Sequence, residues 1–178
     1  SDKIIDLANL AVGRFRGGLA YVNCLSSMFF GGISGSAVAD ATALGGMLIP
    51  WQKREGYPAG FVAANNSAAA SIAILIPPSI PFILYSLVSN VSIADLFVAG
   101  VLPGLILTAG STGVCNVSAR LRDFPMTKTP FDGAKCRKLF IEALPALLMP
   151  FMILVLLRFG FATPTEVSVV AVFYAVLA

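Results

Sequence analysis

The sequence predicts an all-α membrane protein in which transmembrane helices accompany a re-entrant helical hairpin and a discontinuous helix. Three observations lead there. Of 178 residues, 57% are hydrophobic and only 12% charged, with a mean hydropathy of +0.87, whereas soluble domains carry about a quarter charged residues. Two apolar stretches exceed the length of one crossing, and each is interrupted by residues that break helices. Lys and Arg gather in short clusters between apolar stretches, the pattern that marks cytoplasmic loops. The formal charge of +3 is small and forms no single basic face, so no nucleic-acid partner is expected. The bilayer is the partner that composition implies.

Residues 1–16 carry Asp2, Lys3, Asp6, Arg14 and Arg16 and are expected to form an amphipathic connecting segment. They lack the n-region, h-region and cleavage site of a signal peptide. The chain starts without Met and stops inside an apolar run, so it reads as a fragment.

Residues 17–50 contain no formal charge except Asp40. As one helix they would run about 50 Å, against a hydrocarbon core of roughly 30 Å. The middle reads Gly31-Gly32-Ile33-Ser34-Gly35-Ser36. Gly tolerates unusual backbone angles, and Ser satisfies freed backbone groups. Two half-length helices therefore fit. Arg14 and Arg16 precede the stretch and Lys53 and Arg54 follow it; with both ends cytoplasmic it makes no net crossing, as a re-entrant hairpin requires, while the alternative of a full double crossing needs about 40 apolar residues, slightly more than the stretch holds.

Residues 58–90 are again too long for one ordinary span, and Ile76-Pro77-Pro78-Ser79-Ile80-Pro81 interrupts them. Prolines remove amide donors and clash with the preceding turn, so a discontinuous transmembrane helix is expected, with carbonyls left free. Unpaired backbone at membrane depth is tolerated only where it is buried in protein or lines a wet cavity. The loop from Asn90 to Asp95 has no Lys or Arg and suits the outer face. Residues 96–119 make a return crossing to a basic cytoplasmic loop, 120–138, and residues 139–158 cross again. Residues 166–178 begin a truncated helix or hairpin, capped by Thr163 or Thr165. Cys24, Cys115 and Cys136 form neither a disulfide framework nor a metal motif and are read as packing residues.

Ion binding needs several oxygens converging where helices break, and both breaks provide them. Ser34 and Ser36 offer hydroxyls, Gly35 carbonyls, and Ile76, Pro77, Pro78 and Ser79 the same from the second break. Asp40, about one turn beyond the first tip, can neutralise a cation. Asn65, Asn66, Ser67 and Ser71 lie in an otherwise apolar half-helix and face either substrate or neighbouring helices. Two other readings stand beside this one. The breaks could serve packing alone, in a structural scaffold. Gly32-Ile33-Ser34-Gly35 also matches a G-x-S-G pattern of intramembrane serine proteases, but the chain has no His to act as base, so no enzyme is expected.

The motifs together resemble a family. Residues 27–40 (SMFFGGISGSAVAD), Glu55-Gly56-Tyr57, residues 76–81 (IPPSIP) and residues 162–166 (ATPTE) resemble the large membrane subunit of tripartite ATP-independent periplasmic (TRAP) transporters, in the family's order. The resemblance implies an elevator-type importer of small organic acids such as dicarboxylates, sialic acid or sugar acids in the bacterial inner membrane, multi-pass and driven by sodium. It also implies a periplasmic substrate-binding protein and a small membrane subunit as partners. Two inverted repeats follow from the match, of which this fragment holds the first. Sodium is then the coupling ion, held by Ser34, Gly35, Ser36, Asp40, Pro77, Pro78 and Ser79, with the organic acid near Ser36, Asn65, Asn66 and Ser67. Ile72-Ala73-Ile74-Leu75 departs from the pattern, standing where a glycine-containing approach to the break is expected.

Overall fold

A computed structural model of the chain describes residues 5, 9, 12, 15–124, 133–159, 161 and 163–177. Among them all regular structure is helical: α1 Gly18–Ser34, α2 Ala37–Arg54, α3 Ala59–Ala73, α4 Ile80–Ser89, α5 Ile93–Leu121, α6 Gly133–Arg158 and α7 Pro164–Leu177. The expected connecting segment 1–16 falls largely outside the described residues, as do residues 125–132 of the basic loop.

Residue chemistry ends each helix. α1 stops because Gly35 takes a left-handed conformation (φ 59°) and returns its N–H to the Gly31 carbonyl at 2.9 Å, an end that glycine adopts without a Cβ penalty. α2 starts one residue later, with the Ser36 hydroxyl accepting the Ala39 N–H. It continues past Pro50 to Arg54, four residues beyond the expected limit, because the buried Gln52 donates to the Leu19 carbonyl at 2.8 Å and ties the last turn to α1. α3 and α4 are separated by the proline break, with Pro81 in the first turn of α4, where its missing N–H costs nothing. Thr163 and Glu166 form a reciprocal cap at the start of α7.

α5 begins three residues before its expected start, with Asp95 in the positive first turn. By length and composition it is the one helix among the described residues suited to cross a membrane, with a mean hydropathy of 1.9. α6 likewise starts six residues early, since its polar first turns are invisible to an apolar window.

α1 is the hub, packing on α2, α3, α5 and α6. Leu19, Val22, Leu44, Leu48, Val62 and Ile72 are fully buried in this core. Phe97, Ile153, Val167 and Ala171 form a second cluster where α5, α6 and α7 meet. Leu87, Val88, Leu102, Ile106, Val114 and Val117 face outward.

The basic clusters converge. Arg16 pairs with Asp123, a Cβ on Gly17 would lie 2.5 Å from that of Ala119, and the Tyr57 and Phe124 rings stand 5.0 Å apart. The start of α1, the end of α2, the start of α3 and the end of α5 therefore share one end of the molecule. Burial there pushes the Tyr57 hydroxyl up to about 12. Both ends of the α1–α2 pair therefore lie beside the basic clusters.

Close packing of α2 on α3 yields a first prediction. A Cβ at Gly45 would meet the Asn66 Nδ2 at 2.6 Å, the end of a side chain that can shift. Gly45→Ala is thus expected to destabilise by only about 1 kcal/mol, read as a small drop in the thermal unfolding midpoint of the purified protein.

Candidate functional site

The two breaks meet. The Gly35 carbonyl accepts the Ile80 N–H at 3.3 Å, and a Cβ built on Gly35 would collide with the Pro78 carbonyl oxygen. Only a residue lacking a side chain admits this approach, and its left-handed conformation adds a second reason for glycine. Gly31 brings the last turns of α1 and α3 together below the tip, since a Cβ there would sit 2.5 Å from the Ala73 Cα.

A third element roofs the break. Added Cβ atoms at Gly100 and Gly104 of α5 would run into the Phe82 ring and the Ile76 side chain, and the Leu75 carbonyl lies 2.7 Å from the first. Tip and roof together shield backbone that the prolines leave without helical partners, which is what membrane depth demands. The departure at residues 72–75 is explained in the same way. The larger side chains and backbone of the approach are received by glycines on the opposing helices, Gly31, Gly100 and Gly104. Gly104 lies ~18 Å along the α5 axis from Ser92 and ~24 Å from Arg120 at 1.5 Å per residue, so the break stands near the middle of the helix.

Four helix ends converge here. α1 and α3 terminate at the site, presenting the carbonyl-rich, partly negative end that suits a cation; α2 and α4 begin at it, presenting the amide-rich end that suits an anion. Around them stand Ser34, whose hydroxyl accepts the Ser36 N–H at 3.4 Å, and Ser36, half-buried at the cap of α2. Ser79 is fully buried and donates to the Ile74 carbonyl at 2.5 Å. Pro77 is fully buried as well. A cavity of about 460 Å³ borders Pro78 and runs between α4, α5, α6 and α7 toward Thr165.

The other sequence-derived candidates fall into two groups. Asp40 is fully buried in the first turn of α2 and accepts the Ser27 hydroxyl of α1 at 2.7 Å. Asn65 is spent on neighbouring helices, donating to the Ala20 carbonyl and accepting from Cys115 at 3.1 Å, whereas Asn66 donates to the Ala41 carbonyl at 3.0 Å and keeps its Oδ1 buried and unpartnered among the described residues. Ser67 points outward on α3, away from the two breaks' contact. Cys24 and Cys115 are buried free thiols 4.0 Å apart, consistent with a packing role; the Cys136 side chain lies outside the described set. Sequence reasoning passed over Gly100 and Gly104, although their G-x-x-x-G spacing is the signal for close helix approach. It also passed over Asn23, Ser26 and Ser27, which recur at helical spacing within an apolar run.

Comparison with known proteins bears on the whole chain. Residues 1–178 match the family profile described as "Tripartite ATP-independent periplasmic transporter, DctM component". An uncharacterized protein of Sinorhizobium fredii is 49% identical over 173 residues, covering 97% of this chain and 41% of its own length. The C4-dicarboxylate TRAP transporter large permease protein of Pseudomonas aeruginosa is 39% identical, covering 97% and 40%. The 2,3-diketo-L-gulonate TRAP transporter large permease protein of Escherichia coli is 37% identical, covering 98% and 41%. This chain thus spans about 40% of the length of these relatives.

Proposed function

Because the chain belongs to the family of the DctM component of tripartite ATP-independent periplasmic transporters, a transporter component and not an enzyme, we propose that it carries the first repeat of the large membrane subunit of a sodium-coupled importer of a small organic acid. The meeting of Gly35 with Pro78 carries this reading. It makes one site of two breaks and places two helix C-termini and two helix N-termini around it. A sodium ion is served by the former, with the Ser34 and Ser36 hydroxyls, the carbonyls of Gly35, Pro77 and Pro78, and Ser79. Asp40 adds negative charge one turn away. The organic acid's carboxylate is served by the N-termini of α2 and α4, with Ser36 between the two ligands. Co-binding is then electrostatically favourable, since each ligand screens the like-signed helix ends from the other.

The α1–α2 pair is a re-entrant hairpin of an inner-membrane, multi-pass protein: both its ends lie beside the basic loops, and its tip reaches the middle of α5. Rigid movement of the hairpin with α3 and α4, against a scaffold, would carry the site between faces in the elevator manner. An inverted second repeat completes the site, a periplasmic substrate-binding protein delivers the acid, and a small membrane subunit joins the scaffold. A dicarboxylate, sialic acid or a sugar acid is the substrate class, and two of the relatives are named for C4-dicarboxylate and for 2,3-diketo-L-gulonate.

Replacing external sodium by potassium in vesicles holding the complete complex is expected to reduce acid uptake to background. Uptake that persists unchanged overturns the reading.

A further inference from the structure

A second polar centre lies inside the hairpin, apart from the contact between Gly35 and Pro78. Along α1, Asn23, Ser26 and Ser27 are each fully buried. They follow Leu19 at helical spacing, and Leu19 is the residue whose carbonyl receives Gln52 of α2, so they belong to the face turned toward the second arm. Ser27 confirms this by its bond to Asp40. Asn66 enters from α3, bonded through Nδ2 to Ala41, the residue next to Asp40.

The registers put these groups within about one turn of one another. Asn65 lies beside Ala20 and Cys24, and Gly31 lies against Ala73, so α3 runs parallel to α1 with Asn66 level with Asn23. Asp40 stands about one turn, ~5.4 Å, nearer the tip.

What distinguishes this centre is unmet polarity. The Asp40 Oδ1, the Asn66 Oδ1, the Ser26 hydroxyl and both polar atoms of Asn23 are buried and have no hydrogen-bond partner among the described residues. A buried carboxylate needs a counter-charge or several donors, and here it has Ser27 and the amide end of α2. The atoms left over are a carboxylate oxygen, two amide groups able to turn a carbonyl inward, and a hydroxyl: hard oxygen donors with a single negative charge, the donor set of a monovalent metal cation.

We infer that Asn23, Ser26, Asp40 and Asn66 hold a second monovalent cation inside the hairpin, two turns below the tip. The inference rests on the sodium-coupled reading, and it gives Asp40 a ligand role here and only a through-space role at the tip. A cation bound between the arms clamps α1 to α2, so it stiffens the tip that must meet Pro78. Sodium activation is consequently cooperative.

The test uses the complete transporter reconstituted in vesicles and radioactive sodium. Asn23→Leu removes both amide atoms at similar volume, and Ser26→Ala, a smaller change, guards against misfolding of the first. Each is expected to carry one sodium ion fewer per acid than wild type and to need about tenfold more sodium for half-maximal uptake, the usual cost of a disturbed metal site. Wild-type stoichiometry and sodium dependence in Ser26→Ala, or in a folded Asn23→Leu, overturns the inference, because water alone then fills the centre. Loss of a co-transported proton, read with a pH dye inside the vesicles, with sodium stoichiometry kept, also overturns it. Sodium-indifferent uptake by wild type is the separate outcome that removes the parent reading.

Discussion

Gly35→Ala is expected to abolish acid uptake by the complete transporter while leaving the protein folded and in the membrane. Two costs fall on this methyl group. At φ 59° a residue with a Cβ pays about 1–2 kcal/mol in the left-handed region. The new atom also lands on the Pro78 carbonyl oxygen, which is backbone and cannot rotate aside. The tip must therefore withdraw from the break, and the Gly35 carbonyl loses the Ile80 N–H. Withdrawal of the tip leaves the α1–α3 core intact, so thermal unfolding moves little while uptake disappears. Uptake within twofold of wild type would show that the contact plays no part in transport.

Gly31→Ala should have the second largest effect, and through stability. Its Cβ would stand 2.5 Å from the Ala73 Cα and 3.0 Å from its Cβ, so the helices themselves have to part. An overpacked core of this kind costs about 1–3 kcal/mol, toward the upper end here because backbone opposes it, against about 1 kcal/mol for Gly45→Ala, where an amide can yield. The unfolding midpoint of Gly31→Ala is expected well below that of Gly45→Ala. The reverse order would mean that α1 and α3 do not approach as described.

The relation between sequence and fold can be traced residue by residue. The two breaks were legible because Gly, Ser and Pro act locally: each changes what its own backbone can do, wherever it sits in the fold. The sharing of one end by the basic clusters was legible through the bilayer, which sorts Lys and Arg irrespective of packing. The roof over the break was not, because Gly100 and Gly104 matter only through what packs on them, Phe82 and Ile76. Nor was the fate of Asn65 and Asn66. An amide in an apolar helix announces that it needs a partner without saying whether that partner is a ligand or the Ala20 and Ala41 carbonyls. Helix limits failed at α2 and α6 for a related reason: polar last and first turns, such as the one held by Gln52, look like loop when only hydropathy is weighed.

The central claim, that tip and break form one cation site, is tested most directly by a double-mutant cycle on the sodium concentration giving half-maximal uptake. Ser36→Ala and Ser79→Ala are each expected to raise it by about tenfold, one from each break. If the two hydroxyls serve a single ion, the double variant shows little more than either alone, because once the ion is weakly held the second loss removes little. A double variant whose shift is the product of the two, about a hundredfold, would contradict the account, since the breaks would then act independently.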